Sequence, residues 1–101
     1  MSVLYITEYA ELSTVASKGG QMPKEPPVAE QTVAISGTHA ESSAFNAKTK
    51  FLRIETDAIC SVKFGAAPVA TTSSGRMAAG QTEYRDVSAL PLGKVSVISN
   101  T

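Results

Sequence analysis

The chain has one cysteine and one histidine, the residues from which much enzyme chemistry is built. Cys60 alternates with Val62 and Phe64, so a strand at this point would turn its thiol toward the same side as two apolar side chains. Cysteine is among the most buried residue types, and a nucleophilic thiolate would need a neighbouring base. We therefore expect Cys60 to pack in the core. A single cysteine also excludes an internal disulfide and a thiolate metal cluster.

His39 and the paired acids are the other candidates for chemistry. His39 lies in a loop-like Ser-Gly-Thr-His segment without an adjacent acid, which indicates a surface group and neither a catalytic base nor a metal ligand. Glu55 lies close to Asp57 in sequence, and such neighbours on a solvated strand are far commoner than a glycosidase pair. The same holds for Glu83 and Asp86. We expect no enzyme activity, no cofactor and no metal.

The charge pattern excludes a second group of functions. Nine basic and nine acidic residues sum to a formal net charge of zero, and the basic residues are scattered singly. Nucleic acids and anionic membranes attract clustered Lys and Arg, so we expect neither as a partner. No apolar run approaches the length that spans a bilayer and no signal peptide is evident, so we expect a soluble chain made in the cytoplasm of its cell.

Short strands must position these residues, and residues 50–64 give the clearest strand signal. Apolar and polar side chains alternate in two runs with Thr56-Asp57-Ala58 between them, as expected of half-buried strands. We interpret the segment as a β-hairpin and not as one continuous helix, because its β-branched residues and Asp57 disfavour a helix. The predicted inner face is Leu52, Ile54, Cys60, Val62 and Phe64. The predicted outer face is Arg53, Glu55, Ser61 and Lys63.

Weaker strand signals occur on both sides of this segment. Residues 8–18 suit either an extended continuation of the first strand, which we favour, or a short helical turn ended by Gly19-Gly20. Residues 65–81 are predicted to form a long loop with room for a brief strand at 76–78. Further strands are predicted at residues 3–7, 28–35, 40–47, 82–87 and 94–98. Expected core aromatics are Phe45, Phe51 and Phe64, with Tyr84 as a further candidate.

Residues 18–27, KGGQMPKEPP, concentrate glycine and proline. Proline lacks a backbone donor and paired glycines are costly to order, so we predict a long loop or arm without regular pairing. Such a segment is either a plain connection or a part ordered by a partner. The chain is then one domain overall, with an N-terminal strand and arm at residues 1–27 and a body at residues 28–101.

Seven or eight short strands with little helix, in a chain of 101 residues, predict an all-β fold. We expect a single antiparallel β-sandwich of jelly-roll type, with a small β-barrel as the alternative. Val95 and Val97 should join the core, and both faces of their strand should be partly covered. The strand at residues 3–7 starts so early that we place it at a sheet edge.

A series of turn and strand-end motifs runs from Ala44 to the end of the chain, after the opening VLYITEYAEL. The motifs are Arg53 with Thr56 to Ala58, Val62 to Gly65 with Pro68, Ala70 and Thr71, Ala78 to Gly80 with Glu83 and Tyr84, and Gly93 to Val95. In this combination the chain resembles small β-rich structural proteins encoded among the head genes of tailed bacteriophages.

The resemblance implies a structural virion protein, such as a head decoration or cement protein on the outer capsid surface, with a major capsid protein as its partner. The alternatives are a tail or connector component, or a carbohydrate-binding β-sandwich module. The absence of tryptophan and the presence of only three tyrosines disfavour the carbohydrate-binding module. The resembling positions are fold determinants, so no functional residue carries over.

We also expect a homo-oligomer, either a trimer or a dimer. An apolar edge strand and an extended arm both invite a partner. Tyr5 and Tyr9 are the best candidates for exposed aromatic contacts, with packing across an edge strand as their alternative role. The candidate protein–protein contacts are Val3, Leu4, Tyr5, Ile6, Tyr9, Met22, Pro23, Pro26 and Pro27.

Overall fold

The computed structural model describes residues 2–10, 12–15, 20–23, 26–90 and 92–100. These residues form ten β-strands and no helix. The strands are β1 (Val3–Tyr9), β2 (Leu12–Val15), β3 (Gly20–Pro23), β4 (Ala29–Ala34), β5 (Ala40–Glu41), β6 (Phe51–Thr56), β7 (Cys60–Gly65), β8 (Gly75–Met77), β9 (Thr82–Asp86) and β10 (Lys94–Ser99).

Eight strands form two antiparallel sheets of four strands each. Sheet I has the order β4-β1-β6-β9, and sheet II has the order β5-β10-β7-β8. The predicted all-β fold and antiparallel sandwich are confirmed, while the jelly-roll form stays a prediction. Among the strands that the structure describes, β2 and β3 pair with each other and with no other strand, in a separate hairpin.

The core lies between the two sheets, where alternate side chains of both meet. The predicted inner residues Val95 and Val97 are fully buried, and so is Phe45, which lies in an irregular segment beyond the short strand β5. The core residues are Leu4, Ile6, Val33, Ile35, Phe45, Leu52, Ile54, Cys60, Val62, Met77, Val87, Val95 and Val97, with Phe64 packed against them.

The hairpin predicted at residues 50–64 is wrong in its pairing. Strand β6 pairs with β1 and β9, whereas β7 pairs with β10 and β8, so the two belong to different sheets. The connection between them is an arch, in which the Thr56 hydroxyl donates to the Ala58 carbonyl and the Asp57 carboxylate accepts the Val3 N–H at 2.7 Å. The predicted inner face nevertheless holds, since strands of opposed sheets also turn alternate residues toward one core.

The first strand is central, not an edge. Strand β1 lies between β4 and β6 and pairs along its length with both. Because β1 is in the middle of sheet I, the boundary after residue 27 does not separate an arm from a body.

Residues 18–27 also depart from the prediction in their described part, because Gly20–Pro23 forms strand β3 and pairs with β2. Pro23 lies at the last position of β3, where a missing donor is tolerated. The extended alternative for residues 8–18 is confirmed over β1 and β2; residues 11, 16–19, 24 and 25 lie outside the described part.

Residues 66–74, here called the covering segment, lie over the outer side of sheet II. The Ala70 N–H donates to Ser96 Oγ at 3.0 Å, and Asn100 Nδ2 donates to both Ser61 Oγ and the Thr72 carbonyl. Ser61 and Ser96 are fully buried as a result. Ser61 lies on the outer side of its strand, as predicted, but it is buried there beneath the covering segment. The predicted coverage of both faces of the last strand is confirmed.

Candidate protein-contact site

The single thiol belongs to the core. Cys60 is completely buried, as predicted, and its Sγ lies 3.6 Å from Thr56 Oγ1, to which it donates. Burial raises the pKa of the Cys60 thiol above 9.0, because desolvation disfavours the thiolate more than the hydrogen bond to Thr56 favours it. The group is therefore protonated and shielded, the opposite of a reactive cysteine.

His39 is half-buried and not a plain surface group. Its Nδ1 lies 3.4 Å from Ser96 Oγ, which also accepts the Ala70 N–H of the covering segment. The imidazole thus contacts β10 at the same hydroxyl that bonds to the covering segment.

Glu55 and Asp57, the first pair of acids, each have a partner within the chain. Glu55 forms an ion pair with Arg53 at 3.3 Å, and Asp57 accepts the Val3 N–H in the arch. Two carboxylates with separate partners do not form a shared acid–base site.

Glu83 and Asp86, the second pair of acids, also bond to separate partners. Glu83 accepts from Arg85 Nε at 2.9 Å, and Asp86 accepts the Ser88 N–H at 2.8 Å. The backbone hydrogen bond from Ser88 lowers the pKa of Asp86 below 3.8.

Glu8 is a buried carboxylate that sequence reasoning missed. It is 2% exposed and accepts three hydrogen bonds, from Asn46 N–H at 2.8 Å, Thr49 Oγ1 at 2.8 Å and Gln31 Nε2 at 3.1 Å. These contacts tie the irregular segment after β5 to sheet I. The available signal was the period of two, since Glu8 continues the inward series of Leu4 and Ile6.

The predicted N-terminal contact residues divide between the interior and the surface. Leu4, Ile6 and Tyr9 are buried, so their side chains pack within this domain and are not available to a partner. Val3 is half-buried. Tyr5 is 47% exposed, as expected, and its role in a protein contact stays a prediction.

The remaining predicted contacts lie in or after the β2–β3 hairpin. Met22 and Pro23 belong to β3, while Pro26 is exposed and Pro27 is half-buried just before β4. The Val28 N–H donates to the Glu8 carbonyl at 2.7 Å, so the chain leaves sheet I at the end of β1 and returns beside that point.

The outer side of sheet I, here called the open face, carries large side chains. Tyr84 is 56% exposed and belongs to this face, so its expected place in the core is wrong. A depression of about 470 Å³ lies between Tyr5, Glu30 and Arg53. The open face consists of Tyr5, Thr7, Glu30, Thr32, Arg53, Glu55, Thr82 and Tyr84.

Three aromatic rings cross sheet I at one end of the open face. The Tyr9 and Phe51 rings are stacked with centroids 5.1 Å apart, and Phe51 and Tyr84 are tilted at 6.4 Å. Phe51 was expected in the core but is half-buried on this outer side. Ring contacts of this kind hold the exposed Tyr84 side chain in place, which lowers the entropy that it would lose on binding.

A smaller groove of about 340 Å³ lies at the side of the sandwich. Phe64 lines it together with Val87 and Leu90, and the Arg85 guanidinium lies 5.6 Å from the centroid of the Phe64 ring. The half-buried Phe64 thus packs on the core with one side and beneath a cation with the other.

Two further features bear on the class of site. Among the residues that the structure describes, no three His, Cys, Asp or Glu side chains are grouped as a metal ion would require. No helix in the same part of the chain is long and apolar enough to cross a membrane.

The comparisons with known proteins add no relatives. No protein-family model matches the chain, and neither a curated protein nor a solved structure is significantly similar to it.

Proposed function

We propose that the protein is a non-enzymatic structural protein of a virion, which decorates or cements the capsid of a tailed bacteriophage through repeated protein–protein contacts. Its proposed partners are further copies of itself and a major capsid protein on the outer capsid surface. The motifs between Ala44 and the end of the chain support this class. So does the use of Glu8, Cys60 and the paired acids, each of which is packed or bonded within its own chain.

The observation that carries the proposal is the β2–β3 hairpin, which belongs to neither sheet. A sandwich of this size needs no such addition, since its core is closed by the other eight strands. A hairpin outside both sheets is a means of reaching a neighbouring molecule. On a capsid, many modest contacts of this kind would add up through avidity.

Replacing residues 11–25 by a short Gly/Ser turn tests this role. The ends of β1 and β4 are already adjacent, because the Val28 N–H donates to the Glu8 carbonyl, so the sandwich should fold without the hairpin. We expect the shortened chain to melt cooperatively and to lose binding to shells assembled from the major capsid protein of the proposed phage. Co-sedimentation with those shells is the measurement, with the full chain as its control.

Two results would contradict parts of this proposal. Equal binding of the shortened and full chains to shells would remove the hairpin from the contact, and binding to purified tails but not heads would indicate a tail or connector component.

The exposed Tyr5 and Tyr84 beside Arg53 also favour a second candidate, a carbohydrate-binding module. Micromolar binding on a glycan array without any binding to shells would support that module in place of the structural role.

A further inference from the structure

We propose that the open face is a two-fold interface at which a second copy of this chain binds, sheet I against sheet I. The inference deepens the proposed self-association and rests on it. Its basis is the register of the outward side chains, which makes the open face complementary to itself.

Two rows of side chains cross the open face at right angles to the strands. The pairing of β4, β1, β6 and β9 places one residue of each strand in each row. The first row is Thr32, Tyr5, Glu55 and Thr82. The second row is Glu30, Thr7, Arg53 and Tyr84.

A two-fold axis parallel to these rows, and midway between them, would lay each row on the other row of the second copy. Each strand then lies over the same strand of the second copy, and the two sheets are about 10 Å apart, as in other face-to-face packings. Arg53 faces Glu55 of the second copy. Tyr5 faces its Thr7, and Tyr84 faces its Thr82.

Every one of these encounters is favourable in charge or in size. The Arg53–Glu55 contact forms twice, because an isologous interface repeats each pair. Arg53 and Glu55 are 37% and 43% exposed, so both have atoms free for a contact outside their own chain. Each large exposed ring meets a small threonine and not another ring. Tyrosine and arginine are also the residues that dominate the centres of protein interfaces.

The size of the face predicts weak association. Four strands about 4.8 Å apart, each about six residues long, cover about 20 by 20 Å, well below the ~800 Å² per partner of a standard interface. We therefore expect a reversible dimer that forms at concentrations of about 100 µM and above. On a lattice, where copies are held close together, such a contact is readily populated.

Charge reversal separates this interface from a purely structural role of the same residues. Arg53→Glu and Glu55→Arg should each weaken self-association by at least about tenfold, because like charges then face each other twice. An equimolar mixture of the two variants should associate again, since one copy offers two acids at these positions and the other two bases. A role confined to each chain's own fold would give no rescue on mixing.

Sedimentation equilibrium to about 1 mM is the measurement, a range that covers weak dimers. Lys63→Glu, at an exposed position on the outer side of sheet II, is the matched control and should associate like the unaltered chain. Circular dichroism and melting confirm that each variant is folded. A monomeric unaltered chain, an Arg53→Glu variant that associates normally, or a mixture without rescue would each overturn the interface.

The same variants keep the two proposals distinguishable. Shell binding by a folded, monomeric Arg53→Glu chain would leave the virion role standing while confirming that self-association uses the open face. Dimers that obey the mixing test but never bind shells would support the interface and remove the virion role.

Discussion

The two outer sides of the sandwich are built from similar strands but carry different residues. On sheet II, Ser61 and Ser96 are completely buried beneath residues 66–74. On sheet I, Tyr5 and Tyr84 are about half exposed, and the structure describes no segment bonded across them. Part of the difference lies in side-chain size, since the small hydroxyl of Ser96 leaves room for a covering backbone and accepts a hydrogen bond from it.

Outward positions of a strand therefore carry information on coverage. Serines at such positions satisfy a backbone that packs on them, as Ser96 does for the Ala70 N–H. Tyrosines at such positions keep a polar tip in water and present an apolar ring to a partner. By this criterion sheet II is covered by its own chain, whereas the open face of sheet I is the side on which we propose that a second copy binds.

The largest expected effect comes from the core beneath both sides. Val62→Asp places an unpaired charge in a position that is 4% exposed, which should cost more than about 4 kcal/mol and prevent folding. Lys63→Asp, at the next and exposed position, is the matched control and should fold normally. The check is thermal unfolding by circular dichroism, and a cooperatively melting Val62→Asp protein would contradict the assigned inner face.

A bulky residue placed on each outer side tests whether sheet II is covered and sheet I is not. Ser96→Phe should lower the free energy of unfolding by about 2 to 4 kcal/mol, because the ring displaces the covering segment and removes the Ala70 hydrogen bond. Thr82→Phe on the open face should change it by less than about 0.5 kcal/mol. Urea unfolding of both variants is the measurement, and equal losses would show that the two sides do not differ in coverage.

Removing the charge of Glu8 should lower the free energy of unfolding by less than Val62→Asp does. Glu8→Gln weakens the bonds from Asn46 and Thr49 and turns an amide toward Gln31 Nε2, so we expect a loss of about 2 kcal/mol. Glu30→Gln, at an exposed position, is the control and should be neutral. An equally neutral Glu8→Gln variant in urea unfolding would remove Glu8 from the forces that hold sheet I to residues 43–49.

Replacing Asp86 should have the smallest effect on stability, and that effect should disappear in acid. Its pKa is lowered by the hydrogen bond from the Ser88 N–H, so its contribution to stability is full above the ordinary value of 3.8 and is lost as the pH falls through the folded value. The melting points of the unaltered chain and Asp86→Ala should therefore converge as the pH is lowered from about 6 to about 2. A difference that does not depend on pH would contradict this assignment.

The sequence predicts which residues face the core but not which strands pair. Alternation along residues 50–64 identifies Leu52, Ile54 and Val62 as inward, and this holds whether the two runs form a hairpin or an arch. The choice depends on distant partners, since β6 pairs with β1 and β7 with β10. For the same reason, early position in the chain wrongly suggested an edge for β1.

At the candidate site, too, the sequence predicts some side-chain orientations but not the strand pairing. Tyr5 could be assigned to the surface from its alternation with Leu4 and Ile6. The expectation for Tyr84 failed because propensity assigns an aromatic residue to the core, while its actual side is fixed by the register of β9 on β6. The complementary rows of the open face depend on three strand pairings at once, which no local pattern contains.

The concentration dependence of amide NMR spectra tests the central claim most directly, because it examines both outer sides in one experiment. Between about 10 µM and about 1 mM, the range over which a weak dimer forms, we expect progressive shifts at Tyr5, Thr7, Arg53, Glu55 and Tyr84. Signals from residues 66–74 and from Ser96 should stay unchanged. Shifts confined to the covered side of sheet II, or spectra that are identical at all concentrations, would contradict the account.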